Sequence, residues 1–361
     1  MVWNFYTMEV SLIIGSFLMS LIISLLTIPS IVRVAKSKRL CEKPQGRHIH
    51  HGNIPTLGGC AIFGAFLTPL FIFVGNGGTF IPYLAAACII LFFTGIKDDI
   101  LIIAPLTKLA GQTAAAMSLC WAGDIRITSM QGLFGIQEIP YAVSVVLSIF
   151  LVVAIINAFN LIDGIDGLAG TLSITSTVLF SVWFYADGNL PVCIASACFT
   201  GAVIGFLRYN LFSRKNKIFM GDTGAQIVGL FCVFLAIEFI EGNNTISAEW
   251  IVRGAPAVAF GIIVVPTFDV LRVMFLRIAM KKPVFSPDNL HIHYKLLELG
   301  FSHLKTDCIL VAFNIVFAIL VYIGSKYTYI NRLGLIMILV LMAFFHIPQF
   351  IINRRRKKLN K

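Results

Sequence analysis

Residues 142–186 read AVSVVLSIFLVVAIINAFNLIDGIDGLAGTLSITSTVLFSVWFYA. Two apolar runs, 142–158 and 168–186, each approach the roughly 20 residues that a bilayer-spanning helix needs. Between them stands one polar string, Asn157-Ala158-Phe159-Asn160-Leu161-Ile162-Asp163-Gly164-Ile165-Asp166-Gly167-Leu168. Polar groups near membrane depth are costly unless they are paired, wet or functional. The stretch therefore predicts two antiparallel spans with a chemical site at the turn between them.

The same pattern extends both ways along the chain. Apolar runs fall at 9–32, 56–74, 79–96, 106–122, 142–158, 168–186, 190–207, 223–241, 254–276, 307–324 and 331–350. The expected fold is thus all-α and integral to a membrane, with about eleven spanning helices in a single domain over 1–361. Hydrophobic residues make up 58% of the chain and charged residues only 12%, about half the share usual in soluble domains. The first run has no basic residue before it and is longer than a signal-peptide core, so it is expected to stay as a span.

The basic residues test this segmentation. With eleven alternating spans, 24 of the 28 lysines and arginines collect on one side. Only Arg126, Arg253, Lys326 and Arg332 fall on the other. Cytoplasmic loops are the lysine- and arginine-rich ones. The N-terminus is then outside, and the C-terminus and basic tail 351–361 are cytoplasmic. Basic loops beside anionic lipid account for the net charge of +11, and no nucleic-acid partner is expected. The eight cysteines include no CxxC pair and sit mostly in apolar runs, which excludes a disulfide framework or zinc site.

Polar chemistry gathers on the basic side. Asp98 and Asp99 close the third span as Gly95-Ile96-Lys97-Asp98-Asp99. Two adjacent carboxylates repel, so they suit a base or a phosphate- and metal-handling group; a solvated helix end is the plainer alternative. Asn160, Asp163 and Asp166, three apart, share one face if they lie on a helical turn. Their oxygens beside glycines suit a hard cation that carries phosphates. Asp222, in Phe219-Met220-Gly221-Asp222-Thr223-Gly224-Ala225-Gln226, opens the eighth span as either an N-cap or a metal ligand. His291 and His293, in Phe285-Ser286-Pro287-Asp288-Asn289-Leu290-His291-Ile292-His293-Tyr294, could bind phosphate oxygens. Three further histidines, His48, His50 and His51, belong to the loop Arg47–Gly59, and His303 lies on the same side.

These segments, in this order and on one membrane face, resemble the polyprenyl-phosphate N-acetylhexosamine-1-phosphate transferase family, glycosyltransferase family 4. The FSPDNLHIH pattern places the resemblance nearer the WecA/TagO-like branch than the MraY branch. It implies transfer of a sugar-1-phosphate, GlcNAc-1-phosphate first among candidates, from a UDP-sugar to undecaprenyl phosphate at the cytoplasmic face of the cell membrane. UMP leaves, and the product opens a cell-surface glycan. By the resemblance, Asp222 ligates Mg²⁺, with Mn²⁺ as a substitute. Asp98 and Asp99 serve the lipid phosphate. Asn160, Asp163 and Asp166 position the diphosphate, metal and nucleotide. Phe219 stacks on uracil and Asn210 contacts the nucleotide. Lys108 binds phosphate, and His291 and His293 contact the diphosphate. A homodimer is compatible with this reading.

Two positions depart from the family pattern. Tyr294 stands where the relatives' HIHH motif has its last histidine, and Ala225 where GDxGS has its serine. Neither removes an aspartate that the chemistry requires. The competing activities are the phospho-MurNAc-pentapeptide transferase and a membrane transporter. Acids at span ends on one face, with no repeated halves, disfavour the transporter.

Overall fold

The computed structural model describes residues 2–40, 54–101, 103–244, 250–283 and 288–359. The histidines His48, His50 and His51, the loop 47–53 and the segment Phe285-Ser286-Pro287 lie outside the described residues. The described chain is all-helical. Its order is α1 (Val2–Ser37), α2 (Gly58–Val74), α3 (Ile81–Leu101), α4 (Pro105–Met117), α5 (Tyr141–Ile162), α6 (Leu168–Asp187) and α7 (Leu190–Phe212). There follow α8 (Gly221–Gly242), α9 (Ala255–Ile262), α10 (Val264–Ala279), α11 (Ile292–Glu298), α12 (His303–Tyr327) and α13 (Ile330–Leu359). Among the described residues there is no strand, only an isolated antiparallel bridge between Ser129 and Glu138.

Among the described residues, seven helices are long and apolar enough to cross a bilayer: α1, α5, α6, α7, α8, α12 and α13. The pair α9–α10 makes an eighth, bent by 86°. Apolar helix α2, with 17 residues, is shorter. α4 covers 13 residues and passes into a π-turn at Ser118–Ala122. Each of the eleven expected apolar runs thus holds a helix or helix pair, and seven or eight of these meet the length and composition of a full span.

Helix α8 forms the axis of the bundle and packs against α2, α3, α5 and α6. Nearly all of its side chains are buried, so it is apolar on every face rather than on one stripe. α1 and α7 pack closely through small residues. A Cβ on Gly201 or Gly205 would run into Ser20 and Ser24 of α1, and Ser24 Oγ donates to the Ala202 carbonyl at 2.9 Å. Small residues let helix backbones approach where no hydrophobic effect drives them together.

The break between α9 and α10 was not anticipated from the continuous run 254–276. Its cause is Pro266. Proline has no N–H for the carbonyl four residues earlier, which is that of Ile262. That carbonyl instead accepts from Ser176 Oγ at 3.0 Å and Asn314 Nδ2 at 2.8 Å. The bend leaves an apolar groove of about 810 Å³ between α5, α8, α9, α10 and α13.

Away from these motifs, Glu241 and Asp124 have structural partners. Glu241 accepts from the Thr128 amide at 2.8 Å and its hydroxyl at 2.6 Å. Asp124 pairs with Arg126 at 2.6 Å.

Candidate active site

The site forms where three distant segments meet at the start of α8. Backbone bonds join the residues before α2 to those before α8: Phe219 N–H to Pro55 O at 2.8 Å, Gly58 N–H to Phe219 O at 2.9 Å and Gly59 N–H to Met220 O at 2.9 Å. Gly221 then adopts φ +72°, a turn that only glycine takes without strain. It delivers Asp222 into the first turn of α8.

Asp99, in the last turn of α3, caps the N-terminus of α8. Its carboxylate accepts the Asp222 N–H at 2.7 Å, the Thr223 N–H at 3.1 Å and the Thr223 hydroxyl at 2.6 Å. An anion there satisfies free amides and meets the positive end of the helix dipole. Asp98 points to a different task. It takes the Ile103 N–H at 2.9 Å and faces the Lys108 ammonium at 3.1 Å. Lys108 also reaches Asp222 at 2.6 Å and Asn160 Oδ1 at 3.4 Å. The Asn160 amide donates to the same Asp222 oxygen. Four of the expected residues, Asp98, Lys108, Asn160 and Asp222, therefore form one charged network.

The turn 163–167 forms the opposite wall. Asp163 is mostly buried and, among the described residues, makes no hydrogen bond or ion pair. Burial, then the nearby carboxylates of Asp222, Asp166 and Asp99, push its carboxyl up to about 8. For Asp166, burial acts in the raising direction, but the partners His303 and Lys217 outweigh it and hold the carboxyl below its usual range. Lys217 Nζ lies 2.6 Å and His303 Nδ1 3.4 Å from Asp166.

A cleft of about 260 Å³ runs between these walls. Asp99, Asn160, Asp163, Asp166 and Asp222 line it. Asn210, Phe219 and His303 belong to the same lining. Lys217 Nζ sits 5.9 Å from the Phe219 ring centre. Buried Asn210 donates to Ile218 O at 2.9 Å and holds the strand-like segment before α8 in place.

His291 and His293, unlike His303, lie behind the 163–167 turn and are not among the cleft's lining residues. His291 Nδ1 meets Asp269 at 2.8 Å, and Asp269 also takes Arg272 at 2.7 Å and the Ile292 N–H at 3.1 Å. His293 is fully buried against Gly164, its ring 5.8 Å from that of His291 and 4.1 Å from that of Tyr294. Burial pushes the His293 imidazole down to about 3. Tyr294 also packs against Gly164, with its hydroxyl 2.9 Å from where a Cβ would stand. Ala225 is buried in the α8 packing, away from the cleft lining.

The sequence does not single out Asp269 or Asp307, and it places His303 only on the basic side. Asp269, which orients His291, lies in the middle of an apolar run; an ionisable residue at that depth is itself a signal. His303 had no motif around it. Asp307, one helical turn further along α12, is 2% exposed with neither carboxylate oxygen hydrogen-bonded.

The residues fit a divalent cation. Mg²⁺ is commonly held by one or two carboxylates and completed by substrate phosphates and water. Asp163 is a carboxylate without a partner, set among three others, and a cation would relieve that arrangement. Among the described residues no group of three or more histidine, cysteine or acidic side chains forms a full ligand cage.

Comparison with known proteins agrees with this architecture. The family described as Glycosyl transferase family 4 matches residues 81–240, which span α3 to α8. The undecaprenyl-phosphate alpha-N-acetylglucosaminyl 1-phosphate transferase of Escherichia coli K12 is 31% identical over 325 residues, covering 87% of this chain and 84% of that protein. The corresponding Yersinia pestis protein is 28% identical over 321 residues, covering 86% and 84%. A probable undecaprenyl-phosphate N-acetylglucosaminyl 1-phosphate transferase of Bacillus subtilis is 28% identical over 339 residues, covering 93% and 90%. With the capped α8, the Lys108–Asp222 network and the 163–167 turn inside or beside the matched region, the chain belongs to glycosyl transferase family 4.

Proposed function

We propose that this protein transfers N-acetylglucosamine-1-phosphate from its UDP-sugar to undecaprenyl phosphate, with release of UMP. The observation that carries this reading is the joining of Lys108, Asn160 and Asp222 in one network beside the unpartnered Asp163. The names of the relatives supply the substrate class.

In the proposed reaction a lipid phosphate oxygen attacks the β-phosphorus of the donor. The new P–O bond joins lipid and sugar phosphates, and the bond from that phosphorus to the bridging oxygen breaks, leaving UMP. A phosphate monoester has a second pKa of about 6, so the acceptor is mostly a dianion at neutral pH. What the site must supply is charge neutralisation and aim more than a strong base. Lys108 places its ammonium among the phosphates, and Asp98 holds that ammonium in position and takes any remaining proton. Asp99 fixes α8 and so the direction of Asp222. Asp222 and Asp163 are the residues that would hold Mg²⁺, which would neutralise the donor diphosphate as a Lewis acid. Phe219 offers a face for the uracil, with Asp166, Asn210 and His303 around it.

The membrane setting follows the same reading. All eleven apolar segments cross or enter the bilayer, with the N-terminus outside and the cleft on the cytoplasmic side of the cell membrane. The lysine and arginine asymmetry supports that orientation. The groove opened by the α9–α10 bend takes the prenyl chain, and its Arg272 wall leads towards Asp269 and His291.

The test is UMP release by purified protein in detergent with undecaprenyl phosphate, Mg²⁺ and a panel of UDP-sugars. UMP that requires both lipid and metal, fastest with UDP-N-acetylglucosamine, is the expected result. Turnover faster with UDP-MurNAc-pentapeptide, or UMP release without lipid, would overturn it.

A further inference from the structure

The face opposite the cleft carries few cations, and two of them share one cleft. α8 has 22 residues, so its two ends stand about 33 Å apart. Asp222 is at one end. At the other, Gln131 donates to Ile240 O at 3.2 Å, and the Ala255 N–H donates to Gln131 at 3.1 Å. Beside this point is a polar cleft of about 620 Å³. Its walls include Arg253, Lys326, Gln137, Thr328, Tyr329 and Asn331. No carboxylate is among its lining residues, and neither Arg253 nor Lys326 has an ion-pair partner among the described residues. Lys326 rests 4.5 Å from the Tyr322 ring centre. Tyr327 and Tyr329 are 85% and 80% exposed, as interfacial tyrosines are where a protein meets lipid headgroups.

This cationic cleft opens onto the apolar groove. Ile330 lines both. From Ile330 the groove follows α13 to His346, a rise of about 24 Å along the helix. Its near half is lined by Phe134, Gly334, Met337 and Ile338. Gly334 has open space where a side chain would stand. A charged mouth, amide and hydroxyl groups beside it and a long apolar trough behind it match one kind of molecule, an anionic lipid.

We propose that this face holds an anionic glycerophospholipid, with its phosphate between Arg253 and Lys326 and an acyl chain in the near half of the groove. The acceptor's phosphate belongs beside Lys108, a membrane thickness away, so this is a separate lipid site. The amides and hydroxyls of Gln137, Asn331 and Thr328 suit a glycerol headgroup better than a bare phosphate. Lipid here enters the same groove from the end opposite the cleft.

The experiment is native mass spectrometry of the full chain, released from detergent with added phosphatidylglycerol or phosphatidylcholine. Wild-type protein should retain one phosphatidylglycerol selectively. Removing two surface cations in R253Q/K326Q should weaken its retention about thirtyfold. G334F should weaken it by filling the trough while leaving the charges in place. K357Q/K358Q, in the basic tail, should retain the lipid like wild type. Equal retention by R253Q/K326Q and wild type would overturn the proposal. So would exclusive retention of undecaprenyl phosphate, or displacement of the lipid by inorganic phosphate, which would make the site one for a head alone.

Discussion

Asp99 and Asp222 are tied by a single hydrogen bond: the carboxylate that ends α3 accepts the backbone N–H of the residue that begins the chemistry of α8, at 2.7 Å. The neighbouring aspartates therefore have unequal duties. Asp99 sets the position of a helix, and Asp98 sets the position of a lysine.

Replacing Asp99 by alanine removes a cap and should lower stability by about 1–2 kcal/mol. Turnover should fall as well, because Asp222 loses its anchor. D98N keeps the cap, so its thermal midpoint should stay near wild type while turnover drops. Differential scanning fluorimetry beside UMP release separates the two. Equal destabilisation by D99A and D98N would contradict the division.

Asp163 gives a pH signature. Its folded carboxyl titrates near 8, against 3.8 for an ordinary aspartate. Between those values the native protein binds a proton that the unfolded chain does not, so stability declines as pH rises across that window. In metal-free buffer, the wild-type melting temperature should fall relative to D163N from pH 5 to pH 8. Mg²⁺ should restore it at pH 8 in wild type and not in D163N. Parallel pH curves for the two proteins would remove Asp163 from the account.

Asp269 is fully buried and serves His291, Arg272 and the Ile292 amide together. Removing one partner of a buried charge pair commonly costs about 3–5 kcal/mol. D269A should show a loss of that order in detergent. D269N, which keeps the shape, should fold better and still turn over slowly because His291 loses its charged partner. Wild-type turnover in D269N would make the contact purely structural.

Asp307 should behave in the opposite way. Both of its oxygens are buried without a hydrogen-bond partner. A buried polar group left unpaired costs about 1–3 kcal/mol. D307L should therefore melt higher than wild type. A lower melting point, or loss of UMP release with unchanged melting, would show that the carboxylate has work in the assembled enzyme.

The Ile262 carbonyl offers a test of the bend. N314L removes one of its two donors and should destabilise by about 1–2 kcal/mol. S176A/N314L should lose more than either change alone, since the orphaned carbonyl then has no donor. Additive, near-zero effects would mean that the bend does not depend on these side chains.

Much of this was legible in the sequence because membrane constraints are strong. Apolar length marks where helices run, and Asn160, Asp163, Asp166 and Asp222 are conspicuous in an apolar chain. The break at Pro266 could also have been read, since proline inside a span removes a known hydrogen bond. What could not be read is pairing across distance. Nothing local to Asp98 or Asp99 says that one will cap a helix more than a hundred residues later and the other will hold a lysine. His291 and His293 were conspicuous too, but their distance from the cleft depends on how α11 packs behind the 163–167 turn. Asp269 and Asp307 acquire meaning only from partners, or the lack of them, in other helices.

The backbone bonds between residues 55–59 and 219–220 have a consequence for synthesis. A growing chain makes residues 55–59 early, but the segment they pair with comes roughly 160 residues later. At ribosomal speeds of 5–20 residues per second that is an interval of about ten to thirty seconds. Until α8 arrives, Asp99 has no helix to cap, although Asp98 already has Lys108 within reach. A nascent or truncated chain that stops before Gly221 therefore has no assembled cleft with which to engage donor or lipid, and the lining is complete only once α12 adds His303.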